Sequence, residues 1–256
     1  MNSDPFFTIL TSCLNSEKTL IKTLASVRKQ RYQNFEHIII DGGSQDDSLR
    51  ILSDYSGNFR VYWKSEPDRG IAHALNKGLQ LAKGRYILVI HGDDRLLDEN
   101  VLSRVYKALR NESVDMYSCP VLKEAPNGKL IPYRPIRLCW WYHFKTILPH
   151  QGCFVHRRAF ERVGQFRENL TIALDYDFFY RAFSSGATVK FRKMPVAIMG
   201  GAGISSNPIM LEKRLHEEML VQRMNERKIF WRMAQQLFYL LYFPYKTRLA
   251  PRLFWK

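Results

Sequence analysis

A chain of 256 residues with 46% hydrophobic content is long enough for one sizeable α/β domain, or a domain with a smaller appendage, and is too apolar to be disordered. Its formal charge of +15 implies an anionic partner, whether nucleic acid, a phospholipid surface or a polyanionic substrate. Cys13, Cys119, Cys139 and Cys153 form no Cys-x-x-Cys pair, which argues against a zinc site or a disulfide framework and for reduced thiols in a cytosolic protein.

No basic stretch precedes the short apolar segment at 6–14, and no run approaches the roughly 20 apolar residues of a spanning helix. A soluble or peripherally attached protein is expected. Along the chain, 6–12 reads as a strand and 17–30 as an amphipathic helix with Leu20, Ile21, Leu24 and Val27 on one face; 35–40 reads as a second strand. The turn Asp41-Gly-Gly-Ser-Gln-Asp-Asp47 leads into a helix over 48–55. A strand at 61–63, a helix at 70–82, a strand at 86–90 and a helix at 99–109 follow. Repeated β-α-β units predict a largely parallel sheet with right-handed crossovers. After Met116 the rhythm changes: Pro120, Pro126, Asn127-Gly128, Pro132 and Pro135 suggest a hairpin-like excursion, followed by the aromatic stretch 138–144. Helices are expected over 157–163 and 175–184, one or two short strands within 189–199, and a helical stretch over 208–242 that Pro244 should end.

The most informative segment is Gly92-Asp93-Asp94-Arg95, directly after the apolar run Arg85-Tyr-Ile-Leu-Val-Ile-His91. The carboxyl end of a strand is where an open α/β sheet binds ligands, and two hard carboxylates there can hold a divalent cation. The same residues also suit a turn, or a cap for the helix that begins near Asp98. Asp41 has a similar pair of readings, as a carboxylate facing a base or as an Asx-turn before the next helix. His91 reads as a packed strand residue. Asp175 and Asp177 lie two apart, so on a helix they point to different faces and cannot both serve one hydroxyl.

Taken in order, Thr11-Ser-Cys-Leu-Asn15, 41–46, Ser65-Glu-Pro-Asp-Arg-Gly-Ile71 with Asn76-Lys-Gly78, and Gly92-Asp-Asp94 resemble the nucleotide-sugar half of family-2 glycosyltransferases. His150-Gln151, Leu174-Asp-Tyr-Asp-Phe178 and Gly200-Gly-Ala-Gly-Ile-Ser205 resemble the acceptor half, so the likeness spans about 6–207. Within the family it is similar to bacterial transferases that build surface polysaccharides such as colanic acid. The resemblance implies an α/β, GT-A-like and Rossmann-related fold, its mostly parallel sheet flanked by helices. It also implies a catalytic domain over 1–207, with a donor half at about 6–110 and an acceptor half at about 111–207, and a helical extension over 208–256.

It further implies inverting transfer from a nucleoside-diphosphate sugar, most commonly a UDP-sugar. Thr11, Asp41, Asp68 and Asp93 would contact the donor, and Asp94 would be the direct ligand of Mn2+ or Mg2+. Asp175 would be the general base. His150 and Gln151 would contact the acceptor sugar or the metal-bound diphosphate, unless the pair is a structural hydrogen-bond hub, and Asp177 is a helix-start charge or a sugar contact. Arg181, one turn on, is the expected ion partner of Asp177. The loop 200–205 would close over donor or acceptor. The Gln-x-x-Arg-Trp signature of processive synthases is absent, which points to single additions.

From Arg227 to Lys256 there are seven basic residues (Arg227, Lys228, Arg232, Lys246, Arg248, Arg252, Lys256), no acidic ones, and many aromatics including Trp231, Tyr242 and Trp255. Such a segment is expected to dock on anionic lipid through Phe230, Leu237, Leu240 and Leu241, at the inner face of the cytoplasmic membrane where a glycan or polyprenyl-linked acceptor would be met. A helix packed on the domain, or a dimer interface, is the alternative. Nucleic acid is the less favoured partner: no helix-turn-helix, zinc finger or RNA-recognition signature is present, and the strand-end aspartates would repel phosphate unless a cation intervened.

Overall fold

A computed structural model describes residues 4–125, 127–201, 203 and 207–249. Its first half alternates β1 (Phe7–Cys13), α1 (Glu17–Arg28), β2 (Phe35–Asp41), α2 (Ser48–Ser53), β3 (Arg60–Ser65), α3 (Ile71–Leu81) and β4 (Tyr86–Val89), followed by β5 (Arg95–Leu96) and α4 (Val101–Leu109). The second half contains β6 (Met116–Ser118), β7 (Val121–Glu124), β8 (Leu130–Tyr133), β9 (Cys153–His156), α5 (Arg157–Val163), α6 (Leu174–Ser184), β10 (Val189–Phe191), β11 (Ala197–Met199), α7 (Leu211–Asn225) and α8 (Ile229–Pro244). Short 3-10 turns occupy Cys139–His143 and His150–Gly152.

Seven strands make the main sheet, in the order β10-β6-β9-β4-β1-β2-β3. The central strands β1, β2 and β4 are buried along their whole length because both faces are covered, and polar residues within them pair across strands, Thr8 with Glu36 and Thr11 with His37. In β4, Ile87 and Val89 pack toward α3, α5 and α6. Tyr86, Leu88 and the following Ile90 face Val27 of α1 and Val101, Leu102 and Val105 of α4. β1, β2 and β3 are parallel and in step, pairing Cys13 with Asp41 and Asp41 with Ser65, so their carboxyl ends share one level. That level carries the site.

The sheet departs from the parallel expectation at β9, which runs antiparallel to both β4 and β6. The chain leaves the sheet after Ser118, forms the β7–β8 hairpin, and returns beside its exit, with Cys153 opposite Ser118. A second sheet, in the order β5-β11-β7-β8, holds that hairpin. In α1 the buried stripe is Leu20, Thr23, Leu24 and Val27. Ile21 is 59% exposed, because one residue from Leu20 is about 100° around the helix.

The helical stretch expected over 208–242 is broken, with Glu226 and Lys228 in extended conformation between α7 and α8. Pro244 does not end the helical path: it occupies the last turn of α8, and the chain winds on through a wider π turn at Tyr245–Leu249. Among the described residues no helix is long and apolar enough to cross a membrane. The expected closing loop is described only at Gly200, Gly201 and Gly203, and Arg252, Trp255 and Lys256 of the basic tail lie outside the described residues.

Candidate active site

A cavity of about 1010 Å³ opens at the carboxyl ends of β1 and β4. Its walls are 12–19 after β1, Asp68 and Gly70 ahead of α3, 91–94 after β4, His150 and Gln151 ahead of β9, Asp175 in α6 and Gly200 after β11. That is the upper end of the size range of small-molecule sites, about 300–1,000 Å³.

Asp94 forms the floor and is 2% exposed. Its Oδ1 accepts the Gly200 N–H at 3.0 Å and the Gln151 amide at 3.4 Å, and its Oδ2 accepts the His91 N–H at 3.2 Å. Thr23 of α1 donates to its carbonyl oxygen at 2.6 Å, which ties the turn to the helix behind it. The Asp93 carboxylate is less buried and lies against Gly200. A Cβ added to Gly200 would come within 2.6 Å of Asp93 Oδ2 and of its carbonyl oxygen, so the exit from β11 passes only as glycine. Burial raises both carboxyl pKa values, that of Asp94 to about 6 with the Asp93 charge adding to the effect.

His150 stands between this pair and Asp175. Its Nδ1 is 3.5 Å from Asp175 Oδ2, and its Nε2 is buried without a hydrogen-bond partner among the described residues. Burial disfavours a charged imidazole, but the Asp175 bond and the Asp94 and Asp93 charges outweigh it and raise the His150 pKa. The His91 ring meets it edge-on at 5.0 Å and bonds Ser12 Oγ through Nδ1 at 2.8 Å. Burial, with His150 nearby, pushes His91 down to about 3. Two neighbouring imidazoles are thus shifted in opposite directions, His150 toward the cation and His91 toward the neutral form.

Asp175 lies in the first turn of α6, and its Oδ1 accepts the Tyr176 N–H at 2.7 Å. The lead-in to that helix is held from α7, where the Glu217 carboxylate accepts the backbone N–H groups of Thr171, Ile172 and Ala173 at 2.7–3.1 Å.

The other expected donor contacts are distributed differently. Asp68 reaches the cavity, its Oδ1 accepting the Gly70 N–H at 2.8 Å and its Oδ2 resting where a Gly42 Cβ would be. Asp41 is buried behind that wall. Its oxygens accept the N–H groups of Gly43 and Ser44 and the hydroxyls of Ser44 and Ser65, all within 3.0 Å. Burial alone would raise its pKa, yet these bonds hold it below the ordinary value. This is the turn reading of Asp41, so a base contact would require Ser44 or Ser65 to swing off the carboxylate. The Thr11 hydroxyl faces away, bonded to His37 Nε2 at 2.9 Å; strand alternation brings the neighbouring Ser12 to the cavity instead.

Asp177 is corrected as a candidate sugar contact: it is fully buried, paired with Arg167 and Arg181 at 2.8 Å each and with the Asn225 amide at 2.9 Å. Arg181 is the expected partner, one helical turn on. Position in the first turn of a helix gave no way to tell Asp175 from Asp177; the packing of α7 does. α7 falls within the helical stretch expected over 208–242, but its place at the site was not foreseen: it adds Arg214 and Glu218 to the cavity wall.

Among the described residues no three His, Cys, Asp or Glu groups converge as a metal cage. Mg2+ or Mn2+ does not need one, since a hard cation held by one or two carboxylates completes its shell with phosphate oxygens and water. Asp93 and Asp94, whose charges are disfavoured by burial and by each other, are a donor set that such an ion would relieve.

Comparison with known proteins bears directly on this geometry. Glycosyl transferase family 2 matches residues 8–184, which includes every strand end described above except those of β10 and β11. A PGL/p-HBAD biosynthesis glycosyltransferase of Mycobacterium tuberculosis is 29% identical over 230 residues, 88% of each chain. An uncharacterized glycosyltransferase of the same organism is 31% identical over 185 residues, 71% of this chain and 70% of the relative. Among solved structures, S. aureus TarS 1-349 in complex with UDP-GlcNAc superposes with a TM-score of 0.73 at 18% identity, over 96% of this chain and 77% of that one. Mannosyltransferase PcManGT from Pyrobaculum calidifontis, in complex with GDP-Man and Mn2+, gives 0.70 at 17% identity, over 95% and 72%. The fold is therefore GT-A-like, and the chain is a glycosyltransferase that belongs to glycosyl transferase family 2.

Proposed function

We propose that the enzyme transfers a sugar from a nucleoside-diphosphate sugar, a UDP-sugar in the first instance, to a hydroxyl of a glycan or lipid-linked acceptor, inverting the anomeric centre. The observation that carries this reading is the placement of Asp175 and the Asp93–Asp94 pair around one cavity, with His150 between them. The base would sit by Asp68 at the β2 and β3 strand ends, with Asp41 holding the turn beneath it. Asp175 would take the proton of the acceptor hydroxyl as that oxygen attacks the anomeric carbon, and the bond to the diphosphate would break on the opposite face. His150 Nε2, without a partner among the described residues, would donate to the diphosphate while Nδ1 stays oriented by Asp175. A divalent cation, Mn2+ or Mg2+, would neutralise charge on the diphosphate. Asp94 is the proposed ligand, fixed by the Gly200 and His91 amides, and Asp93 its neighbour toward ribose or ion.

The UDP-GlcNAc and GDP-Man of the structural neighbours support a nucleotide-sugar donor, and the Mn2+ of one of them supports a cation. The mycobacterial relative, a glycosyltransferase named for PGL/p-HBAD biosynthesis, supports a biosynthetic transferase, and the acceptor we propose is a bacterial surface polysaccharide, of which the colanic acid type is one case. Residues 1–207 would carry catalysis and 208–256 the extension, with α7 lending the cavity a wall. Release of nucleoside diphosphate across a panel of sugar nucleotides, with Mg2+ or Mn2+, tests the reading. Asp175→Asn should lower transfer by about 10²–10⁴-fold, with the donor-induced thermal shift unchanged. Near-normal turnover in that variant would refute the assignment of the base.

A further inference from the structure

α8 has two unlike faces. One closes on the domain: Trp231 stacks on His143 at 4.0 Å, the Gln235 amide donates to the His143 carbonyl at 2.8 Å, and the Tyr239 hydroxyl donates to Glu218 at 3.0 Å. The other carries Ile229, Phe230, Met233, Leu237, Leu240 and Leu241, each between 64% and 73% exposed. Their spacing makes one continuous apolar stripe along the helix. A run of six large apolar side chains left open in this way marks an interaction surface.

A second segment, distant in sequence, joins it. Leu138 and Trp140 are exposed, and the Trp140 ring lies parallel to Trp231 at 6.4 Å, which in turn touches Phe230 at 5.2 Å. Cations edge both parts: exposed Arg134 and Arg137 beside Leu138, and exposed Arg227, Lys228 and Arg232 at the start of the stripe. No acidic residue occurs from 227 to 249.

Two occupants suit an apolar stripe, a second copy of the chain or a lipid surface. A two-fold contact would place each cationic rim against its own copy, and like charges facing one another oppose association. An anionic bilayer reverses that sign: its headgroups attract the rim while the apolar side chains enter the acyl boundary. We propose that α8, together with the 134–140 segment, seats the enzyme on an anionic lipid bilayer as a helix lying in the headgroup plane. This rests on the surface alone and is independent of the proposed reaction.

Flotation of the full-length protein with vesicles tests it. Vesicles containing phosphatidylglycerol should carry the protein, and vesicles of phosphatidylcholine alone should carry much less. The triple variant Phe230→Ser, Leu237→Ser, Leu240→Ser should lose vesicle binding by more than about tenfold. The variant Arg134→Gln, Arg137→Gln, Lys228→Gln should lose on the order of fivefold per cation at low salt, and both variants should melt as the parent does. Equal flotation of parent and stripe variant, or no preference for the anionic vesicles, would overturn the proposal. So would a lipid-free dimer that the stripe variant dissolves into monomers, which would assign the face to a second copy.

Discussion

α7 and α8 follow one another in sequence and invert the usual rule in opposite directions. α7 buries polar side chains: Glu217, Glu218 and Gln222 are all nearly inaccessible, and Gln222 donates to the Phe144 carbonyl at 2.8 Å. α8 exposes apolar ones. Each buried polar group of α7 meets a backbone or side-chain partner close to the site, and such paired networks fix geometry more than they add net stability. The apolar stripe of α8 stays exposed among the described residues and is available to a partner. The family match ends at residue 184, yet the helix that holds the lead-in to Asp175 comes after it. One helix belongs to the site and the other to its surroundings.

The largest effect that tests this contrast should come from Glu217, which is 8% exposed and accepts three consecutive backbone amides ahead of α6. Glu217→Ala should destabilise the fold by about 3 kcal/mol, because each buried amide left without an acceptor costs about 1–3 kcal/mol and water can re-enter at only part of the site. Turnover should fall more than donor affinity, since the loss displaces Asp175 and leaves the strand ends carrying Asp68 and Asp94 in place. Glu217→Gln, which keeps an acceptor oxygen, should recover part of both. A melting curve with a donor titration and a turnover assay reads all three. An Ala variant with parental stability and turnover would reduce α7 to a passive cover.

How much of this was legible in the sequence depended on the range over which each feature is determined. β1, β2 and β4 were readable because they are buried along their length and rich in large apolar residues, unbroken in β4 and interrupted by Thr8 and Thr11 in β1 and by Glu36 and His37 in β2. β9 and β5 were not: their pairing is decided by where the chain re-enters the sheets, and β5 has only two residues. Asp68, Asp93 and Asp94, singled out by their position after strands, line the cavity. The Thr11 hydroxyl lies one position off the cavity, because a strand turns alternate residues to opposite faces and the pattern of 6–12 does not say which face the cavity takes. Arg181 was legible as a partner of Asp177 from its spacing of one helical turn, whereas Arg167 and Asn225, which complete the burial of that carboxylate, become its partners only on folding. Glu217 carried no signal, since an acidic residue in a polar helix ordinarily faces solvent.

Acid should loosen the joint between the two helices by a smaller amount. Glu226, in the break, accepts the Tyr180 hydroxyl and His143 Nδ1 at 2.6 Å each and the Lys228 N–H at 2.9 Å. Burial would raise its pKa, but those bonds lower it below the ordinary 4.5. A depressed carboxyl pKa stabilises the fold above the unfolded value and ceases to do so as pH falls through the folded one. His143 is buried and lowered from 6.5, so below that pH the unfolded chain takes up its proton first, which also favours unfolding. The melting temperature should therefore be level above neutrality and decline from about pH 6.5 downward. Glu226→Gln should cost about 1.5–3 kcal/mol near neutrality and flatten the lower part of that decline. An unchanged slope in the variant would place the acid sensitivity elsewhere.

The smallest effect on stability belongs to α8, where it separates the two helices most sharply. Leu240→Ser changes a side chain 73% exposed, so the fold should lose no more than about 0.5 kcal/mol. Truncating a buried leucine would instead cost about 2–5 kcal/mol, because the removed atoms leave a cavity as well as a transfer term. A melting temperature that stays put therefore means that Leu240 packs against nothing in the free protein. A large drop means that the stripe is covered, by the rest of the chain or by a second copy, and sedimentation at two concentrations tells these apart. Only if the fold is indifferent to Leu240 while its capture by anionic vesicles is not does α8 stand as the outward-facing counterpart of α7.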